Sequence, residues 1–195
     1  MRLQNKPVQL LALIAFALLP SLHAQEAVLE LDPAQTHIDF TVPGPLNSVR
    51  GTFKLKSGTI RFNLATGKAS GQVVVDVTSG DTGNSGRDRK MHKEVLESQK
   101  YPEAIFVPNV AIGRLDSQGE SPIDLSGVLT LHGNNHELSL ATTVTRMGDQ
   151  ISATTHFEIP YADWGMKNPS TLFLHLGNLV EIDIKTVGHI TFDRK

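Results

Sequence analysis

Apolar residues recur at every second position along most of this chain, and this alternation restricts the folds it can adopt. From Ile151 to Ile159, apolar side chains share one parity and face polar ones on the other. The same pattern occurs in the segments 73–77, 123–131, 138–144 and 182–184. A period of two with one polar parity is typical of β-strands that bury one face.

Short turn signals separate these segments. Ala65-Thr66-Gly67, Gly133-Asn134-Asn135 and Met147-Gly148-Asp149 are each of a length that connects the strands of a hairpin. Apolar periodicity of helical length is missing between them, which argues against parallel βαβ units. The sequence therefore predicts an all-β, antiparallel architecture, either a sandwich or a closed barrel.

Strand length favours the barrel. The predicted strands 67–77, 121–132 and 135–146 are long neighbours in one meander, and closing such strands into a barrel removes their exposed edges. The inward parity holds mostly Val, Leu, Ile, Ala and Thr. These side chains suit an apolar cavity and a packed sandwich core equally well, so composition alone leaves both open.

The N-terminal segment predicts export. Arg2 and Lys6 precede an apolar run over 8–19, and a cleavage region ends at Ala24. The run is shorter than the roughly 20 residues that a membrane-spanning helix needs. We therefore expect residues 1–24 to be a removable signal peptide, and an uncleaved anchor is the less favoured alternative.

The remaining chain, 25–195, is predicted to be a single domain. It has no cysteine, which excludes disulfides and a lipoprotein anchor, and no linker or repeat divides it. The whole chain has a formal net charge of -2, and removal of Arg2 and Lys6 makes the rest more acidic. Nucleic acid is thus not an expected partner, and we expect no stable membrane insertion after signal cleavage.

A loop and a charged helix interrupt the strands at 79–108. Glycines at 80, 83 and 86 form the loop, and the pattern Ser85-Gly86-Arg87-Asp88 predicts a capping box at the start of a helix over 86–98. Lys90–Glu94 and Lys93–Glu97 are spaced for exposed ion pairs within that helix.

This insert suggests a gate. Met91 and Val95 share one face with Leu96 beside them, and this apolar stripe is narrow, so we expect the helix to dock weakly on the barrel. A weakly docked helix would admit a long tail into an otherwise closed barrel. A static helix that caps one end is equally compatible with the sequence.

Motifs for catalysis and metal binding are missing. The chain has no G-x-S-x-G elbow, no H-E-x-x-H and no phosphate-binding glycine loop, and capping explains Ser85 and Asp88 better than a triad with His92 does. His132 and His136 flank a turn at a metal-like spacing, but a structural hairpin is the favoured interpretation. We expect no catalytic residue, no metal site and no enzymatic activity.

Six motifs in register resemble the YceI-like family of exported lipid-binding proteins. They cover about 29–184 and are Asp32–Phe40, Gly51-Thr52-Phe53 with Gly58, Thr82-Gly83 with Arg87-Asp88, Tyr101–Phe106, Gly127–Leu131 with Gly133, and Asp163-Trp164-Gly165-Met166. The resemblance implies an extended, lipocalin-like antiparallel β-barrel of about eight strands with a short helical insert. It also implies a secreted or periplasmic protein that encloses a polyisoprenoid or similar amphiphile.

The chain departs from the family pattern at three places. Pro43-Gly44-Pro45 stands where a histidine is usual, Tyr161 replaces a basic residue, and Asn135-His136 replaces Thr-Lys. All three lie in loops or turns, where a head group would be contacted. The resemblance therefore supports the fold and the cavity more than it supports a particular ligand.

The leading hypothesis is a non-enzymatic periplasmic carrier for a long-chain isoprenoid such as a quinone or polyprenyl species. No other cofactor is expected, and no sequence feature identifies a protein partner. The proposed cavity lining is Phe40, Phe53, Val75, Leu129, Leu140 and Phe157. Arg87 and His92 are proposed at the mouth.

Two alternatives belong to other classes. One is a stress-related interaction module with a filled barrel, whose partner would be a protein such as a membrane redox protein. The other is a metal-dependent enzyme, which requires at least three histidine or carboxylate side chains around one open position.

Overall fold

The computed structural model describes residues 26–45, 48–63, 65–169 and 176–192, and nine of their segments are strands. The predicted signal peptide lies outside the described residues. The strands are β1 (Ala27–Leu31), β2 (His37–Val42), β3 (Val49–Asn63), β4 (Lys68–Asp81), β5 (Glu103–Gly113), β6 (Glu120–Leu131), β7 (Asn134–Met147), β8 (Gln150–Ile159) and β9 (Val180–Phe192).

All strand pairings are antiparallel, and they close on themselves. The order around the sheet ends at β4, which pairs back onto β3. Strands β1 and β2 each pair with both β3 and β9, so together they fill one position in the ring. The architecture is thus a closed eight-position barrel, which confirms the predicted fold and excludes the sandwich.

A short 3₁₀ turn, Pro33–Gln35, explains why β1 and β2 are separate strands. The Asp32 carboxylate accepts a hydrogen bond of 2.8 Å from the Ala34 N–H, and proline at the first position of the turn has no N–H to satisfy. Asp32 thus interrupts the strand without breaking the barrel.

The barrel has two ends with different contents. We call the end that carries the insert the upper end; the β6–β7 hairpin and the β8–β9 connection also lie there. The opposite, lower end contains a compact core of five buried residues, Ala27, Leu29, Ile60, Ile151 and Ile190. A larger cluster that includes Phe40, Leu129 and Ile182 surrounds the upper interior.

The insert differs from its predicted form. An α-helix, α1 (Ser85–Lys90), continues directly into a single π-helical turn, Met91–Val95. The helix is capped by Asn84, whose Oδ1 accepts from the Arg87 N–H at 2.9 Å, and not by Ser85. The capping-box prediction was wrong because the carboxylate of Asp88 turns to the preceding loop. No helix among the described residues is long and apolar enough to cross a membrane.

Candidate ligand-binding cavity

The interior of the barrel contains two apolar chambers. The upper chamber has a volume of about 450 Å³ and the lower one about 190 Å³. A barrel of this strand number has room for one small ligand when its inward side chains are of modest size. Here the inward-facing side chains are mainly aliphatic, because the apolar residues of each strand occupy the alternate positions that point into the barrel.

Five residues line both chambers and mark the boundary between them. They come from β4, β5, β6, β8 and β9, and we call them the waist: Val75, Ala104, Leu129, Phe157 and Ile184. The chambers therefore follow one another along the barrel interior and share one wall.

Hydrocarbon dominates the walls. In the upper chamber the rings of Phe40 and Phe53 lie with centroids 5.1 Å apart. In the lower chamber the hydroxyls of Thr142 and Thr155 donate to the backbone carbonyls of Leu140 and Ala141. Because these hydroxyls are satisfied within the wall, both chambers suit an alkyl or prenyl chain.

All six residues proposed from the sequence as cavity lining contact these chambers. Phe40 and Phe53 line the upper chamber, Leu140 lines the lower one, and Val75, Leu129 and Phe157 belong to the waist. Their role in binding a ligand stays a prediction.

The two residues proposed for the mouth have different positions. Arg87 is exposed and also lines the upper chamber, so the chamber reaches the surface beside it. His92 is not part of either lining. Its ring nitrogens lie 2.9 Å from the Gly80 carbonyl oxygen and 3.0 Å from Ser98 Oγ, so the ring braces the two ends of the insert.

Lys90 is a cation at the mouth that the sequence analysis did not identify. It lines the upper chamber together with Arg87, and its Nζ donates to the Pro169 carbonyl at 3.1 Å. The sequence analysis assigned Lys90 to an ion pair with Glu94. The signal that would have identified it is its spacing of three from Arg87, which places both side chains on one helix face.

Thr82 anchors the loop between β4 and α1, residues 82–84, which we call the mouth loop. Its N–H and hydroxyl donate to Asp88 Oδ1 at 2.9 and 2.5 Å, and its hydroxyl oxygen and carbonyl accept from the Arg87 guanidinium at 2.8 Å. The hydrogen bonds from Thr82 hold the pKa of the Asp88 carboxyl below its ordinary value.

The charged residues of the insert bind neighbouring loops instead of one another. Glu94 accepts from Lys167 Nζ at 2.8 Å, and this hydrogen bond lowers the pKa of Glu94. Glu97 Oε2 lies 2.8 Å from His132 Nε2 at the β6–β7 hairpin, in a contact too bent for a hydrogen bond. The predicted pairs within the helix are thus replaced by contacts that span the upper end.

Tyr161, which departs from the family pattern, is buried in the wall of the upper chamber. Its hydroxyl donates to the Gly177 carbonyl at 2.7 Å, and burial raises its pKa. Because the hydroxyl is used within the protein, Tyr161 contributes its ring to the chamber and not a charge.

The histidines of the hairpin have structural contacts. The ring of His136 stacks on Trp164 at 3.7 Å between centroids, and burial lowers the pKa of His136. The ring of His132 lies 4.5 Å from that of Tyr101. Within the described ranges, no group of three or more His, Cys, Asp or Glu side chains is placed to hold a metal ion.

Comparison with known proteins agrees with the motif series. A family model described as the YceI-like domain matches residues 29–188. A UPF0312 protein of Vibrio parahaemolyticus is 29% identical over 184 residues, which cover 92% of this chain and 88% of the relative. The resemblance found in the sequence is thereby confirmed.

Two solved structures share the fold. One is a polyisoprenoid binding domain from Saccharophagus degradans implicated in plant cell wall breakdown, with a TM-score of 0.66 and 20% identity over 84% of this chain and 98% of the other. The other is BcnA of Burkholderia cenocepacia, with a TM-score of 0.66 and 18% identity over 80% of this chain and 98% of the other.

Proposed function

We propose that this chain, which belongs to the YceI-like family, is a periplasmic carrier for one long-chain isoprenoid or similar amphiphile. The observation that carries the proposal is the series of two apolar chambers that ends beside Arg87 and Lys90. The Saccharophagus degradans neighbour, called a polyisoprenoid binding domain, supports the choice of ligand class. The N-terminal sequence supports the location.

The geometry orients the ligand. Burial of each methylene contributes about 0.8 kcal/mol, whereas a hydrogen bond to a head group contributes about 1 kcal/mol net. The tail therefore supplies most of the affinity from within the barrel. The head group lies at the upper end, where Arg87 and Lys90 select among head groups by charge and hydrogen bonding.

The chambers favour a carrier over the interaction module with a filled barrel. That alternative requires an interior filled by side chains, whereas two apolar spaces with a shared wall lie inside this barrel. The proposal assigns the chain no reaction, and the chambers serve to hold and release the lipid.

Native mass spectrometry of gently purified, exported protein tests the proposal. We expect a fraction of the molecules to carry one co-purified lipid, whose fragmentation identifies the head group and tail. A protein that is consistently empty, and that also fails to bind added geranylgeraniol after delipidation, would disprove the carrier function.

A variant at the mouth tests the orientation. Lys90→Met keeps the unbranched apolar stem of the side chain, one atom shorter, and removes its charge. We expect its affinity for geranylgeranyl diphosphate to fall about tenfold because a charge-assisted contact is lost. Affinity for the uncharged geranylgeraniol should stay the same, and an equal loss for both probes would contradict the assigned orientation.

A further inference from the structure

We propose that the waist acts as a tail-length selector, so that only long tails reach the lower chamber. The inference rests on the proposed function and adds to it which tails the barrel prefers. Its basis is the division of the interior into a larger upper and a smaller lower chamber that share five lining side chains, those of the waist.

Strand register places neighbouring waist residues at similar levels of the barrel. Val75 and Ala104 are direct partners across β4 and β5, and Ile184 of β9 pairs with Thr155, two residues before Phe157 in β8. Phe157 has the largest of these side chains, and Ala104 has the smallest. Hence the width of the passage depends mainly on how these two positions are filled.

Partial exposure inside the barrel shows that the waist is not fully packed. Val75, Ala104 and Phe157 pack against the upper core cluster, yet each keeps solvent-accessible area. That area faces the chambers that they line. The Phe157 ring therefore borders free volume into which it can rotate when a chain passes.

The lower chamber offers a tail mainly further apolar contacts. Ala27 and Ile190, each 2% exposed, pack outside its lining, and the Arg146 guanidinium lies 4.6 Å from the Phe192 ring centroid. A tail that enters from Arg87 fills the upper chamber first and must displace the waist before it gains further buried area. Affinity should thus rise with tail length, level off, and rise again.

The test uses prenyl alcohols of increasing length, because they share one head group. Geraniol, farnesol, geranylgeraniol and solanesol compete with 1-aminoanthracene for the purified, delipidated chain. In the wild type we expect solanesol to bind about tenfold or more tighter than farnesol, since its tail buries many more methylenes.

Ala104→Phe closes the passage with a second ring. We expect the added affinity for solanesol to disappear, so that Ala104→Phe binds solanesol no more tightly than it binds farnesol. Val107→Phe places the same ring on the same strand but at an exposed position, 43% accessible, and should behave like the wild type. Phe157→Leu widens the waist and should speed solanesol uptake, which keeps the test valid if Ala104→Phe does not fold.

The outcomes separate the selector from the carrier. Unchanged solanesol preference in Ala104→Phe, or unchanged uptake in Phe157→Leu, overturns the selector while farnesol binding preserves the carrier function. If none of the four alcohols displaces the probe from the wild type, both proposals fail.

Discussion

At the residue scale, Thr82 fixes the positions of two charged side chains beside the mouth loop. Its hydroxyl donates to Asp88 and accepts from Arg87, so one side chain fixes an anion and a cation together. Arg87 is thereby held in position at the upper chamber before a ligand arrives. Such preorganisation reduces the entropy that binding would otherwise cost.

The ionisation of Asp88 should control this loop. Because its pKa is lowered in the folded protein, the ionised form stabilises the loop above the ordinary value of 3.8, and this stabilisation is lost as the pH falls through the lower folded-state pKa. We expect the Thr82 amide resonance to titrate with a midpoint below 3.8 in NMR spectra recorded against pH.

Substitution supplies the control for that titration. Asp88→Asn should abolish the transition and speed hydrogen exchange at the Thr82 amide. Asp163→Asn changes a carboxylate in the β8–β9 connection and should leave the transition in place. A Thr82 midpoint at or above the ordinary value would mean that the Thr82–Asp88 hydrogen bonds do not persist in solution.

At the scale of the element, the π-helical turn adapts the insert to the cavity. The Leu96 N–H donates to the Met91 carbonyl at 2.9 Å, five residues back, which widens the turn. As a result Met91, Val95 and Leu96 all line the upper chamber. The apolar stripe expected from the sequence thus faces the chamber, and polar contacts add to its docking.

The Glu94–Lys167 pair connects the insert to the β8–β9 connection across the upper end, so we expect the pair to slow ligand exchange. Lys167→Gln should increase the release rate of a bound fluorescent prenyl probe by at most about fivefold, because exposed pairs contribute little. The measurement is stopped-flow release into an excess of unlabelled geranylgeraniol, at low and high salt. Salt should accelerate release from the wild type and have less effect on the variant.

A charge reversal provides the matched control. Glu94→Lys combined with Lys167→Glu restores the pair with opposite polarity and should return release towards the wild-type rate. Equal release rates in all three proteins would show that the insert does not move during exchange and acts as a static cap.

At the scale of the whole molecule, the larger cavity and the most tightly packed side chains lie at different ends. Ala27 and Ile190 of the lower core line neither chamber, whereas the upper cluster encloses the larger free volume. A barrel that holds a ligand loses packing contacts around its cavities, so we expect buried residues outside both chambers to contribute most to stability. Substitutions at the two ends should therefore affect different properties.

Ile190→Ala and Phe53→Ala test this separation. Ile190 is 2% exposed and lines neither chamber, so its truncation should cost about 2–5 kcal/mol of unfolding free energy and leave geranylgeraniol affinity unchanged. Phe53 faces the upper chamber, so Phe53→Ala should cost less stability and weaken geranylgeraniol binding about tenfold. Denaturant unfolding and probe displacement measure the two effects.

The opposite pattern would contradict the assignment of the cavity. If Phe53→Ala lost as much stability as Ile190→Ala and kept full affinity, Phe53 would belong to the packed core. The ligand would then have to bind outside the upper chamber.

Much of this architecture was determined by the sequence itself. Alternation with a period of two specifies which side chains face inward, because successive residues of a strand point to opposite faces. The hairpin turns specify the order of neighbouring strands. The inward parity therefore sufficed to predict the lining residues Leu129, Leu140 and Phe157 without any contact being known.

Tertiary structure decided what the strand pattern left open. Whether the sheet closed as a barrel depended on β9 meeting β1 and β2, a pairing between strands far apart in the sequence that no local pattern specifies. The partners of Glu94, Glu97 and Asp88 were decided in the same way, since a charged side chain binds whichever group lies nearest in space. Sequence spacing places Lys90 one helical turn from Glu94, where an ion pair could form. In the folded barrel Lys167 Nζ lies 2.8 Å from Glu94 Oε2 and is the partner instead, because tertiary structure brings its loop beside the insert.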